Sequence, residues 1–591
     1  MNYQEILAPV DDYKNNLREA HAKNTVEAFD ALLQESGVDE QTNIELVKVV
    51  RKLEEMVNSL KSKLGVATFF RGLFILIAVV CTIGLVLYFL DIFKVVDSSI
   101  IPREWILYSA PGAVVSYVII FAWLNPVIKR LRAALASNQE ALDKALAAAW
   151  EQMQPLNRLF QWDTIAKIIT KTMPILKLDS FFSQERMDQL VGHFGLVGID
   201  FPNQSVLCCQ SGALNGNPLL LAETFNQYWG STTYHGSLEI TWEEYDRDAK
   251  RTVTHSQTLH ASVTKPSPDY TKEKFIIYGN EAAPDLEFSR EPNSYSDKDS
   301  FFDKRTLNKK IKELEKMSRD LSTEFTIMDN QEFDASFYAI NRTNEHQFRL
   351  LYTPLAQQET LKLLRDKEVG FGDDFTFRKS NMINVVLPKH MDNIDISGSP
   401  SLFRNYELAV VRQRFIDYSN NFFHSFFFGL APLLCVPLYQ QHRSTLDIFK
   451  SVYERGVSFY EYESLANAWS SQCFTPEGAV TPSILKTKLL ERNQDHSRIA
   501  VTAHAFRGYD RVEYVRVYGD DGRWHNVPVE WIEYLPVTRT REMAVRAVPG
   551  DDGKQAQDQI FTEEWQEYFR SCGVNYSNIQ LRRNLVSYFR S

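Results

Sequence analysis

Apolar residues run unbroken at two places in the chain, and elsewhere they recur at helical or strand spacing. Residues 72–90 read GLFILIAVVCTIGLVLYFL and residues 105–128 read WILYSAPGAVVSYVIIFAWLNPVI, both without a charged side chain. At about 1.5 Å per residue, each is long enough to cross a hydrocarbon layer of about 30 Å. Tyr88, Phe89, Trp105 and Trp123 stand near the ends, where amphipathic rings suit a bilayer interface. The pattern predicts a membrane protein whose two-helix transmembrane hairpin sits in a lipid bilayer. A pair of buried core helices is the alternative, and it asks a soluble core to hold two such runs side by side.

Cationic residues set the expected orientation, because they favour the cytoplasmic side. The connection between the runs carries only Lys94 and Arg103, whereas the outer flanks carry Lys61, Lys63 and Arg71, and Lys129, Arg130 and Arg132. A two-span cell-membrane protein with cytoplasmic N- and C-termini is expected.

Helical periodicity continues on both sides of the hairpin. Thr42 and Glu45 have the spacing of a capping box after Gly37. From there Leu46, Val50, Leu53, Val57, Leu60 and Leu64 alternate in steps of four and three, the spacing of a coiled-coil seam. Leu131, Leu135 and Leu142, with Ala145 and Ala149, hold similar spacing after the second run, and Asn138 takes one seam position. Two helices leaving the bilayer together would bury these stripes against each other as an antiparallel stem. Packing against the soluble region is the other reading. A helix over roughly 11–35 would add a third member to such a bundle.

Strand spacing takes over near residue 200. Residues 237–245 and 251–263, joined by a polar turn, predict a hairpin, and 274–279 a third strand. Residues 304–321 carry one apolar helical face through Leu307, Ile311, Leu314 and Met317. Strands are predicted again at 498–506, 511–519 and 524–537, with RGYD and GDDGR as their turns. Residues 418–441 hold no Asp, Glu, Lys or Arg. A third span is one reading of them. Pro432, Pro437, His424 and the neighbouring Asn and Ser residues fit a buried core segment or a membrane-surface patch with less strain.

The fold class expected is a helical stem with a transmembrane hairpin, followed by α+β soluble domains with antiparallel sheets. The divisions are 1–66 (N-terminal helices and stem), 67–128 (hairpin), 129–195 (helical stem and connector), 196–400 (α+β domain), 401–490 (aromatic-rich helical segment) and 491–591 (small antiparallel β unit with a C-terminal helix).

Composition narrows the classes further. With 591 residues, about three or four folded units are expected. Mean hydropathy is −0.29, too polar for a polytopic transporter. The net charge of −10 argues against nucleic acid as a main partner. Cys81, Cys208, Cys209, Cys435, Cys473 and Cys572 form no metal-binding spacing and fit a reducing compartment. The N-terminal segment lacks the charged and apolar regions of a cleavable signal peptide.

The segments GNEAAPDLEFSR (279–290), HQFRLLYTPLAQ (346–357) and APLLCVPLYQQH (431–442) resemble stretches of bacterial two-pass membrane proteins of unassigned function. The resemblance covers most of the chain after residue 60. It implies the two-pass architecture and a bacterial cell membrane, and no activity, cofactor or catalytic residue.

Candidate chemistry is sparse. No phosphate-cradling Gly-rich loop occurs. VGFGDDF (369–375) reads as a Gly/Asp turn, with a divalent-cation loop as the alternative. His235, His255 and His260 invite a zinc site, but His255 and His260 are five apart on one strand and diverge. Cys473 with His496 or His504 is the least poor nucleophile–base pair. The aromatic-rich stretch 418–462 reads as core first and as a partner-binding groove second. No catalytic residue, metal or cofactor is therefore expected. The function expected is a membrane-anchored, cytosol-facing scaffold or receptor that acts through an unknown protein partner and self-association. A pore built from several hairpins and a membrane-bound enzyme with an unfamiliar site are the alternatives.

Overall fold

The computed structural model describes residues 5–92, 105–246, 251–293, 301–320, 325–441, 456–493, 496–548, 563–572, 574 and 578–589. The inter-span connection with Lys94 and Arg103 and most of the 246–250 turn lie outside them. The chain divides into two compact units, each assembled from separate stretches: a helical unit of 28–160 and 400–415, and an α+β unit of 1–27, 161–399 and 416–591.

In the helical unit one α-helix runs from Glu40 to Ile92. Gly37, with φ +64°, breaks the chain before it. Asp39, not Thr42, caps it: the Asp39 Oδ2 accepts from Thr42 N at 2.7 Å and from Thr42 Oγ1 at 2.6 Å. A carboxylate there satisfies two donors and favours the positive helix end. The return path comprises the helix Trp105–Val118, a π-helical turn Ile119–Leu124 and the helix Asn125–Leu159.

Val50, Val57, Leu142 and Ala149 form a buried cluster, joined by the half-buried Leu46, Leu53, Leu135, Ala145 and Tyr406. Leu60, Leu64 and Leu131 are half-buried and stand outside that cluster. Asn138 turns back on its own helix and donates to the Ala134 carbonyl. Asn43 ties the stem to the 400–415 stretch, donating to Gln152 and the Tyr406 carbonyl and accepting from Leu408 N. Nearer the helix ends farthest from this cluster, the surface changes character. Two helices are long and apolar enough to cross a membrane, and only 6% and 28% of their most apolar windows are buried. Leu76, Val80, Val118 and Phe121 all face outwards.

The α+β unit holds two antiparallel sheets. The first has seven strands in the order β1-β2-β3-β4-β7-β6-β5: β1 Leu176–Leu178, β2 Gln204–Leu214, β3 Asn217–Asp246, β4 Arg251–Gly279, β5 Glu287–Arg290, β6 Phe375–Ser380 and β7 Ile383–Pro388. The second has five in the order β11-β12-β10-β9-β8: β8 Ile484–Arg492, β9 Ser497–Tyr518, β10 Trp524–Ala547, β11 Ile579–Arg582 and β12 Leu585–Tyr588. Residues 274–279 are the end of β4 and not a separate strand. RGYD is not a turn either, because β9 passes through it paired to β10 without a break.

The uncharged stretch 418–441 packs inside this unit. It falls on the helices Leu408–Leu434 and Pro437–Gln441, and Phe422, Phe423, Phe426, Phe427 and Phe428 are all buried. At Gly429 a Cβ would come within 2.9 Å of the Ile276 side chain, so this helix lies close on β4. Its polar residues find protein partners: Ser419 bonds His21, and His424 donates to the Val369 carbonyl at 2.7 Å. The phenylalanines of this stretch build core.

Candidate interaction surface

Strands β3 and β4 pair in one unbroken register from Leu219↔Tyr278 to Asp246↔Arg251. Strand β2 covers β3 only as far as Asn226, and β7 covers β4 only from Ile276. Between those limits and the tip, the hairpin is a two-stranded ribbon with no further strand on either edge among the described residues. Strands β9 and β10 form a second ribbon beyond the reach of β8, which stops at His504, and of β12, which starts at Ala544. An isolated two-stranded hairpin is marginal in water. These two support each other by stacking face to face.

Side-chain alternation builds the contact. Ile240, Leu259 and Val527 are buried between the ribbons, flanked by Leu238, Trp242, Ala261 and Val517. Lys265 of β4 pairs with Glu513 of β9 and lies over the Trp531 ring of β10 at 4.7 Å. At Gly236 a Cβ would fall 2.0 Å from the Pro528 carbonyl oxygen, so only glycine allows the backbones to approach there.

The two outward faces differ in chemistry. On the first ribbon Thr233, Thr252, Thr254, Thr258, Ser262 and Thr264 are exposed, a solvated polar face. On the second, Tyr514, Tyr518 and Trp524 are 66%, 57% and 60% exposed. The register sets Tyr518 opposite Trp524, with ring centroids 5.3 Å apart, and Arg516 lies 5.5 Å from the same indole. Tyrosine, tryptophan and arginine are the residue types that carry most binding energy in protein interfaces. Sequence reading took this stretch as ordinary strand, although the alternation of Tyr514, Arg516 and Tyr518 was there to be read.

The other sequence candidates lie apart from this surface or in structural roles. Asp373 of VGFGDDF pairs bidentately with the buried Arg290 at 2.6 and 2.7 Å, and Asp374 accepts from His390 N and Nδ1. Both carboxylates are thus engaged in holding the turn. No group of three His, Cys, Asp or Glu with metal-binding geometry occurs among the described residues. His255 stacks on Trp242, while His235 and His260 stand on the opposite face of the first ribbon. Cys473 packs on the face of β9 that carries Val501 and Ala503, and His504 points from the other face.

Sequence reading also missed a buried polar cluster where the helix Phe459–Ala468 crosses β2. Glu461 accepts from Phe182 N and from the Cys209 thiol at 3.2 Å, and Glu463 accepts from Val206 N and pairs with Lys486 at 2.7 Å. Burial raises Glu463 to about 7, outweighing the opposing pull of Lys486. Burial also pushes the Cys209 thiol well up, the reverse of what a nucleophilic cysteine requires. Both carboxylates hold backbone N–H groups in place.

No family model, curated protein or solved structure matches the chain.

Proposed function

We propose that this protein is a membrane-anchored scaffold or receptor whose contact surface is the outer face of the β9–β10 ribbon. The exposed Tyr514–Arg516–Tyr518–Trp524 patch carries the reading. The occupant it fits is a protein surface with an apolar centre and a carboxylate opposite Arg516, which has a cation's charge and a planar, stackable form. The outward apolar belt on the two long helices supports anchoring, because soluble proteins rarely leave so large an apolar area bare. The flanking cations support cytoplasmic termini.

Within one chain the stem buries Val50, Val57, Leu142 and Ala149, while Leu60, Leu64 and Leu131 stay half-buried and leave apolar surface for self-association. A pore needs a polar outer face on its spans, yet Ser116 is buried and Thr82 bonds its own helix at the Ala78 carbonyl. Photo-crosslinking residues placed at 514 and 518 of the full chain in its native membrane should trap one defined protein, and Trp524→Ala should abolish the adduct. Adducts with lipid alone, or none at either position, would sink the proposal.

A further inference from the structure

A pocket of about 410 Å³ opens in the α+β unit between the N-terminal helical segment and the helix Leu408–Leu434. Its volume is that of small-molecule sites. Tyr13, Arg18, Glu368, Asn420, Asn421 and His424 give it its chemistry. We infer that this pocket binds a small carboxylate that also carries a hydrogen-bond donor, such as a hydroxy or amino acid.

Tyr13 is the first observation. Its ring is held by Phe423, His424, Phe427 and Phe428, and only 4% of the residue is exposed. Among the described residues its hydroxyl has no hydrogen-bond partner, and its oxygen is not fully enclosed, so it is open to the pocket. Burial raises Tyr13 to about 12, and the nearby Arg18 charge draws it back. A neutral phenol is therefore a standing donor at neutral pH.

Arg18 is the second. Among the described residues it has no carboxylate partner, whereas the neighbouring Lys14 is paired with Glu368 at 3.2 Å. Burial lowers both His21 and His424, so at neutral pH the charges lining the pocket are the Arg18 guanidinium and the Glu368 carboxylate, and Glu368 is already paired with Lys14. The carboxamides of Asn420 and Asn421 add donors beside it. An oxyanion of one charge matches this set.

His424 supplies the other half of the recognition. Its Nε2 donates to the Val369 carbonyl, which leaves Nδ1 of the neutral ring as an acceptor. A hydroxyl or ammonium on the ligand fits that position. The backbone adds a third observation: Tyr13–Leu17 is a π-helical turn between two α-helical stretches, a distortion that recurs at functional sites.

The test is saturation-transfer NMR on the full chain in nanodiscs with lactate, glutamate and inorganic phosphate as probes. Lactate or glutamate should bind saturably. Arg18→Gln, on an exposed position, should weaken that binding about tenfold or more, and Tyr13→Phe about three- to tenfold. Arg378→Gln, remote from the pocket, should leave it unchanged. Failure of both carboxylates to bind up to about 10 mM would overturn the assignment. Equal binding by the Arg18→Gln protein, or binding of phosphate alone, would do so as well.

Discussion

His21 is 1% exposed, stacked on Phe423 with ring centroids 4.1 Å apart and held by Thr172 and Ser419. Burial, opposed by the bond to the Ser419 carbonyl, lowers it to about 4 from an ordinary 6.5. Between those values the unfolded chain takes up a proton that the folded chain refuses. Stability present above pH 6.5 is therefore lost as pH falls towards 4, by about 3 kcal/mol at full extent. Glu463 works in the opposite sense, since its raised value favours the fold below 4.5 and that benefit fades as pH rises to about 7. Urea midpoints at pH 7 and 4.5 should therefore be compared with those of His21→Gln, in which the histidine's share of the acid loss disappears. An unchanged pH slope in the variant would refute the assignment. The Arg290–Asp373 pair makes a second residue-scale case: both side chains are almost wholly buried, and Asp373→Ala would strand a guanidinium. A loss of about 3–5 kcal/mol in chemical denaturation is expected.

Among the elements, the two ribbons depend on each other. Gly236→Val would drive a branched side chain into the Pro528 carbonyl, which backbone cannot yield without separating the strands. The variant should lose the Lys265–Glu513 contact and expose Ile240 and Val527, so limited proteolysis should cut within β4 or β10 well before the core strands. Resistance equal to wild type would show that the ribbons do not rely on this crossing. Their lengths were only partly legible. The alternation over 237–245 and 251–263 marked a hairpin, but the paired strands continue beyond it through Gly230, Pro266 and Pro268, residue types that strands disfavour. In the same way Gly508 inside RGYD imitates a turn that pairing to Tyr534 overrides. The helical stripes were easier in part: spacing puts Val50 with Val57, and Leu142 with Ala149, on one face of each helix, and the tertiary structure brings the two faces into one cluster.

For the whole molecule, the outward apolar belt predicts behaviour in bulk. The full chain should stay with the membrane pellet through alkaline carbonate extraction, and Leu76→Arg with Val80→Arg should shift it towards the supernatant. Complete extraction of the unaltered chain would mean that the belt is covered by protein instead of lipid. Mass measured in a nanodisc would give the oligomeric state.

Sequence alone determined the two long apolar runs, the stem spacing that flanks them and the mixed, antiparallel character of the rest. Each follows from local periodicity, which depends only on the 3.6-residue helix and the two-residue strand. The tertiary structure alone decided that the uncharged 418–441 stretch is core, because burial depends on β4 and its neighbours arriving from elsewhere in the chain. It also decided that Asp373 serves Arg290 and that Tyr13 keeps its hydroxyl for a pocket. Those roles join residues 83 and about 410 positions apart, separations over which no pattern of neighbours carries information.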